Sequence, residues 1–268
     1  MKNYYLNLNH KAIYLMLLIG VCSLQDVNAQ KKINASDIMK DLKSGKTIVH
    51  KDAIIVGILD FTFMDEKMPN LDKKYRWWGG SDSNAITEVI ESKISFVNCT
   101  FDSDVIAYFH DDRTEYTFEA DFERSVQFEN CTFRENAMFK YSNFESFVNF
   151  KGSDFQEETT FKYAEFEDDV DFSNTIFDEE ATFKYSKFSH KANFANATFD
   201  KDAIFKYSNF REGVTFNNTK FNRSLDLKYT KVRGEFDIDK MKVRDDIDSK
   251  YTSINGDGLT RYMLNKRD

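Results

Sequence analysis

Few residue combinations in this chain could support catalysis. The run His110–Asp112 could contribute ligands to a metal site, but no second His or Cys lies at a useful spacing from it. A solvated acidic segment is therefore the competing interpretation. The sequence contains no Gly-x-Ser-x-Gly elbow, no glycine-rich phosphate loop and no Cys-x-x-Cys pair. We predict no catalytic residue, no bound metal and no cofactor.

Carboxylates are the other groups that could do chemistry. They are crowded in the short segments between phenylalanines, as in Glu167, Asp168 and Asp169 and again in Asp178, Glu179 and Glu180. A pair of carboxylates can hydrolyse a glycosidic bond, so a polysaccharide-active enzyme is one interpretation. Acidic turn residues on a soluble repeat protein would give the same pattern. We favour the turn interpretation.

The elements that position these residues follow from the spacing of the aromatic residues. Phe recurs in alternating gaps of five and six residues from Phe128 to Phe221. A Lys-Tyr pair recurs after every fourth such gap, at Lys140-Tyr141, Lys162-Tyr163, Lys184-Tyr185, Lys206-Tyr207, Lys228-Tyr229 and Lys250-Tyr251. Residues five apart on an α-helix point about 140° away from each other, which excludes a coiled coil. A small residue two positions before each Phe instead gives the period-two alternation of a strand.

The repeat predicts a solenoid in which short strands alternate with corners. Four sides of five, six, five and six residues make one coil, and each coil buries its Phe side chains against its neighbours. The unit, written Phe172–Thr182 in one copy, resembles the Phe-rich branch of the pentapeptide-repeat family from Phe96 to about Ile254. The resemblance implies an all-β fold, a right-handed quadrilateral parallel β-helix with about 22 residues per coil.

The N-terminus has the features of a secretory signal peptide over residues 1–29. Lys2 and Lys11 precede or flank the apolar run Ala12–Val21, and Val27-Asn28-Ala29 is a small-residue cleavage site. We predict export to the periplasm or the medium after cleavage near Ala29. Lipidation of Cys22 is the alternative. The apolar run is shorter than the ~20 residues of a membrane helix, so no membrane anchor is predicted.

The rest of the chain is predicted to divide into four segments. Residues 30–61 form an N-terminal cap, with a short helix within Asn34–Lys46 and the first strands within Ala53–Phe61. Residues 62–84 are an insertion loop, residues 85–254 are the β-helix with a loop at 107–116, and residues 255–268 are a C-terminal tail. Trp77 and Trp78 in the insertion either close an apolar end of the solenoid or anchor a partner.

The two remaining cysteines are predicted to lie in adjacent coils. Cys99 and Cys131 both occupy the small inward-facing position, and they are one coil apart if residues 107–116 are an insertion. A spacing of ~4.8 Å between stacked strands is within the Cα range of a disulfide. Both a disulfide and a pair of stacked thiols are compatible with this placement, and neither cysteine is expected to be a nucleophile.

The six Lys-Tyr pairs are the predicted binding surface. They should form one outward column that offers ring faces for stacking and ammonium groups for carboxylates, and the partner would be an acidic glycan or an unidentified protein. Stacking that only stabilises the fold is the alternative, and simpler, explanation of the column. The net charge of −8 argues against a nucleic-acid ligand.

Three functions are compatible with these features. The first, which we favour, is an exported, non-catalytic binding or scaffolding module. The second is implied by the family resemblance: some pentapeptide-repeat proteins mimic DNA and bind DNA gyrase, a topoisomerase. The signal peptide disfavours this second function, because export separates the protein from that partner. The third is the polysaccharide-active β-helix enzyme, for which no catalytic set is visible.

Overall fold

The computed structural model describes residues 30–71 and 84–265. Nearly all strands belong to four parallel sheets, and each sheet is one side of a quadrilateral coil. The register between successive coils in the regular region is one full repeat, as in the pairing of Phe144 with Phe166. The predicted quadrilateral parallel β-helix is therefore confirmed. We number its sides 1 to 4 in the order in which the chain visits them.

The strands of sides 1 and 2 have two residues each, except for the first two strands of side 1, which have four. Side 1 contains Lys31–Asn34, Ala53–Val56, Thr100–Phe101, Thr132–Phe133, Asp154–Phe155, Ile176–Phe177, Thr198–Phe199, Lys220–Phe221 and Lys242–Val243. Side 2 contains Leu59–Asp60, Val105–Ile106, Ala137–Met138, Thr159–Thr160, Ala181–Thr182, Ala203–Ile204, Leu225–Asp226 and Ile247–Asp248.

Sides 3 and 4 begin with longer strands. Side 3 contains Ala85–Ile90, Tyr116–Phe122, Asn143–Phe144, Glu165–Phe166, Lys187–Phe188, Asn209–Phe210, Lys231–Val232 and Ser253–Ile254. Side 4 contains Ile48–Lys51, Ile94–Val97, Val126–Glu129, Val148–Asn149, Val170–Asp171, Ala192–Asn193, Gly213–Thr215 and Glu235–Asp237.

The core consists of columns of stacked phenylalanines. Phe166 lies between Phe144 and Phe188, with ring centroids 5.1 and 4.9 Å away and nearly parallel rings. The small inward-facing positions are often Ser or Thr because their hydroxyls satisfy backbone groups. Ser186 Oγ, for example, donates to the carbonyl of Phe161 in the preceding coil at 2.7 Å. Small residues thus leave room for the Phe columns and hold adjacent coils together.

A helix occupies part of the first coil. The strand Lys31–Asn34 pairs on side 1, and helix α1 (Ala35–Lys43) follows before the chain reaches side 4 at Ile48. The buried residues Ile38 and Leu42 share the face of α1 that packs on the core. The coils thus begin at Lys31, within the segment predicted as a cap. Asn34 is the N-cap residue, but its amide contacts Asp37 (3.5 Å) and no backbone N–H.

Both insertions emerge at the corner between sides 2 and 3. The first begins after the strand Leu59–Asp60 and includes helix α2 (Met64–Lys67) and the 3₁₀ helix Met68–Asn70. The second was predicted as a loop but contains a strand, Tyr108–Asp111, antiparallel to Tyr116–Phe122. This hairpin forms because the two segments satisfy each other's backbone groups. The pairing of Val105 with Ala137 confirms that ten extra residues are accommodated here.

The predicted C-terminal tail contains a helix, α3 (Leu259–Asn265). Leu259 is buried, and the Tyr262 hydroxyl donates to the carbonyl of Phe236 at 2.8 Å. The helix therefore caps apolar groups near the last coils. Within residues 30–71 and 84–265, no helix combines the length and apolarity required to cross a membrane.

Cys99 and Cys131 are buried free thiols. Their neighbours Thr100 and Thr132 are paired across side 1, so the cysteines stack in adjacent coils as the sequence predicts. The Cys131 sulfur lies 3.5 Å from the carbonyl oxygens of Phe96 and Glu129. Burial raises the pKa of the Cys131 thiol. Of the two alternatives, the structure has the stacked thiols.

Candidate functional site

The six tyrosines lie at the apex of the corner between sides 2 and 3. Each follows a side 2 strand, and its backbone has a positive φ of 59° to 64°. The N–H group of each of the first five donates to the carbonyl of the Lys in the next coil, as from Tyr163 to Lys184 at 2.9 Å. The corner is thus fixed by backbone hydrogen bonds, and the side chain is free to project outward.

Tyrosine is an unusual residue for this backbone conformation. The corner between sides 4 and 1 has a similar positive φ and mostly uses residues that favour it: Asn130, Gly152, Asn174, Asn196 and Asn218, with Lys240 in the last coil as the exception. A bulky residue in the left-handed region costs roughly 1 kcal/mol or more. Turn geometry therefore does not explain the tyrosines. Their side chains must contribute stacking, binding or both.

The tyrosine rings form one continuous stack, which we call the Tyr column. Successive ring centroids from Tyr141 to Tyr251 are 4.6 to 4.8 Å apart, with interplanar angles of 1° to 21°. Tyr108 of the hairpin extends the column at 5.8 Å from Tyr141. The prediction of open ring faces is wrong for the interior rings, because each face is covered by its neighbour. The column presents ring edges and hydroxyls.

A row of lysines accompanies the Tyr column. The ammonium nitrogens of Lys140, Lys162, Lys184, Lys206 and Lys250 lie 4.8 to 5.5 Å from the ring centroid of the adjacent Tyr. In the described part of the chain, Lys228 alone among the six is ion-paired, with Asp248 at 3.3 Å. Burial and the charges of Lys140 and Lys184 lower the pKa of Lys162. The row is therefore a line of like charges held close together.

A shallow groove borders the side 3 flank of the Tyr column. The edges of Tyr141, Tyr163 and Tyr185 line it, and its volume is about 450 Å³. Polar residues complete the lining: Glu119, Asp121, Asn143, Glu165 and Lys187. The side-chain oxygen of Asn143 is buried without a hydrogen-bond partner. Burial, followed by the nearby Glu165 charge, raises the pKa of Asp121.

Three of these features were not predicted from the sequence. Tyr108 lies outside the period of the Lys-Tyr pairs, so no spacing pattern marks it as part of the column. Asp121 and Asn143 are ordinary strand residues, in Tyr116–Phe122 and Asn143–Phe144. Their common register on side 3 could have been read from the repeat, but the groove beside the rings could not.

The other predicted site residues are not brought together. Trp77 and Trp78 lie outside the described residues. His110 hydrogen-bonds Thr117 and lies 3.6 Å from Asp112, and no metal-binding group of His, Cys, Asp and Glu side chains is found among the residues that the structure describes. The carboxylates of residues 167–169 follow side 3, whereas those of residues 178–180 follow side 1, on different corners.

The comparison with protein families gives one match. A family model described as pentapeptide repeats, in nine copies, matches residues 139–187 and 183–231. These residues include the corners that carry Tyr141 to Tyr229. No curated protein and no solved structure matches the chain.

Proposed function

Because this chain belongs to the pentapeptide-repeat family, whose stacked coils repeat one corner at a constant spacing, we propose that it is an exported, non-catalytic binding module. Its ligand is a linear acidic glycan that lies along the Tyr column and the Lys row. The signal-peptide features of residues 1–29 support export. The Tyr side chains at positions that favour Asn or Gly support selection of this corner for binding.

The observation that carries the proposal is the set of unpaired lysines beside the Tyr column. Five of the six ammonium groups have no carboxylate within ion-pair distance in the described residues. Coils stack at ~4.8 Å, so the like charges are within a Debye length of one another. A polyanion that lies parallel to the row relieves this repulsion at every coil.

The closed ring stack determines how such a ligand would be held. Sugar rings cannot insert between tyrosines whose centroids are 4.6 to 4.8 Å apart. Carboxylates of the glycan would contact the ammonium groups, and its hydroxyls would hydrogen-bond the phenolic oxygens. Each exposed contact is weak, but identical contacts in successive coils add through a single linear ligand.

The binding experiment uses affinity gel electrophoresis in polygalacturonate, with neutral dextran as the comparison. Two triple variants are compared with the wild type: Tyr163→Asn with Tyr185→Asn and Tyr207→Asn, and Lys162→Gln with Lys184→Gln and Lys206→Gln. Asn is the substitute for Tyr because Asn174 and Asn196 adopt the same φ at the equivalent corner. We expect each triple variant to bind about tenfold more weakly, from about 0.5 kcal/mol per exposed contact.

The matched control removes the same number of positive charges, three, at positions outside the Lys row. Lys151→Gln, Lys191→Gln and Lys220→Gln alter exposed lysines on other parts of the coil, and this variant should retain polygalacturonate binding within about twofold. Wild-type binding should weaken as salt rises. Retention of the glycan by both triple variants, or no retention by the wild type, would show that the Tyr column serves only the fold.

Export is tested separately by fractionating cells that express the full chain and measuring the mass of the recovered protein. We expect the protein outside the cytoplasm, beginning at Gln30, because Val27-Asn28-Ala29 provides the cleavage site. Recovery of the uncleaved chain from the cytoplasm would reject export. That result would restore the topoisomerase-binding alternative.

A further inference from the structure

Side 2 presents three outward columns of different charge. Each strand alternates inward and outward residues, so Glu158, Thr160 and Lys162 all face outward around the buried Thr159 and Phe161. Repetition over the coils gives an acidic column, Asn136, Glu158, Glu180, Asp202, Ser224 and Asp246. It also gives a central column, Met138, Thr160, Thr182, Ile204, Asp226 and Asp248, and the Lys row as the basic column.

Among the residues that the structure describes, no ion pair joins the acidic column to the basic column. Glu158 and Lys162 are four residues apart on an extended strand, which places their backbones about 13 Å apart. An ion pair needs its charged atoms within about 4 Å. Each column instead faces its own like charges. Burial and the charges of Glu158 and Asp202 raise the pKa of Glu180, just as Lys140 and Lys184 contribute to the lowered pKa of Lys162.

The last coils show what happens when the central column is acidic. Lys228 pairs with Asp248 at 3.3 Å, and this hydrogen bond raises the pKa of Lys228. One coil on from Lys140, Lys162 and Lys184 the central residues are Thr160, Thr182 and Ile204, which are uncharged and cannot form such a pair. Lys206 has Asp226 at this position, but no ion pair between the two is found among the described residues. Four consecutive coils therefore have an uncharged centre and a basic edge, and three of them have an acidic opposite edge.

We propose that side 2 of this chain docks against side 2 of a second copy, around a two-fold axis parallel to the solenoid axis. This rotation exchanges the two edges, so the acidic column of each copy meets the basic column of the other. Both columns have the same spacing of ~4.8 Å per coil, and the ion pairs therefore remain in register from coil to coil. A two-fold axis perpendicular to the solenoid axis would place lysine against lysine.

The size of the surface sets the strength of the association. Four coils are about 19 Å long and the columns span about 13 Å, an area well below the ~800 Å² per partner of a standard stable interface. The dimer should be weak and should dissociate in salt, because its specific contacts are exposed ion pairs. The inference does not depend on glycan binding. A polyanion and a second copy would compete for the same lysines.

The experiment is a charge exchange measured by sedimentation equilibrium from about 10 μM to about 1 mM, a range suited to a weak interface, without glycan. One variant carries Lys162→Glu and Lys184→Glu, and the other carries Glu158→Lys and Glu180→Lys. In a dimer of either variant alone, like charges would face each other wherever the former acidic and basic columns meet. Each variant should therefore be monomeric over the range in which the wild type dimerises. In an equimolar mixture, a dimer of one copy of each variant places opposite charges along both column contacts. The mixture should therefore restore the dimer.

The matched control carries Glu145→Lys and Glu167→Lys, which make the same charge change on the corner between sides 3 and 4. It should dimerise as the wild type does. Circular dichroism verifies that all variants keep the wild-type fold. A wild type that stays monomeric over the whole range, a charge-exchanged mixture that stays monomeric, or a control that loses the dimer would overturn the proposal. None of these outcomes depends on whether polygalacturonate binds.

Discussion

Replacing Phe166 by alanine should lower the free energy of unfolding by about 3–5 kcal/mol. The side chain is 1% exposed and is stacked between Phe144 and Phe188. Those two rings are held by their own neighbours in the column, so they cannot move far into the space that the substitution leaves. The loss therefore combines the transfer of an aromatic ring with a cavity that does not collapse.

The adjacent outward residue is the control for this substitution. Glu167 is exposed, and its carboxylate makes one hydrogen bond, to the Asn143 amide at 3.2 Å. Glu167→Ala should change the unfolding free energy by less than about 0.5 kcal/mol. Urea titrations of the two variants give both values. Equal losses from the two substitutions would mean that the difference in burial between neighbours does not control stability.

Gly213→Ala should lower the free energy of unfolding by about 3–5 kcal/mol, from strain and a steric clash together. Its φ of +107° lies in the range that L side chains rarely adopt. A Cβ atom there would lie 2.4 Å from the backbone oxygen of Glu235 and 2.9 Å from its nitrogen. Both atoms belong to the paired strand of the next coil, so the backbone of side 4 would have to shift.

Gly57 separates the cost of backbone strain from the cost of the steric clash. Its φ is +87°, but no atom lies within 4 Å of the position that a Cβ would occupy. Gly57→Ala should therefore cost only about 1 kcal/mol, from backbone strain alone. Thermal and urea unfolding of both variants measure the difference. If Gly57→Ala costs as much as Gly213→Ala, the close approach of adjacent coils on side 4 is not what requires glycine.

The sequence by itself determined the coil and the residues inside it. Phe144, Phe166 and Phe188 recur at the spacing of one coil, each has a small residue two positions earlier, and all three are buried in one stack. This could be predicted because alternation along a strand and the length of a coil are properties of local chain order. The same reasoning placed Tyr141, Tyr163 and the later tyrosines of the repeat in one column.

Only the tertiary structure decided how the ends and corners are completed. Tyr108 joins the Tyr column because an antiparallel hairpin brings it there, and antiparallel pairing with Tyr116–Phe122 leaves no mark in the repeat. Helix α3 covers Phe236 through Tyr262 because apolar side chains near the last coils require a cover. Such contacts join segments that share no sequence period.

At the candidate site, too, the sequence determined part of the charge pattern of side 2 and the tertiary structure determined the rest. The order Glu158, Thr160, Lys162 is in the sequence, and alternation alone predicts that the three residues share a side. Whether a lysine is paired depends on distances between coils, which are set by the hydrogen bonds of the stacked strands. Lys228 reaches Asp248 across one coil, whereas Lys162 has uncharged residues at the corresponding positions. The tertiary structure thus decided which charges remain unpaired, because pairing depends on inter-coil geometry that local chain order does not contain.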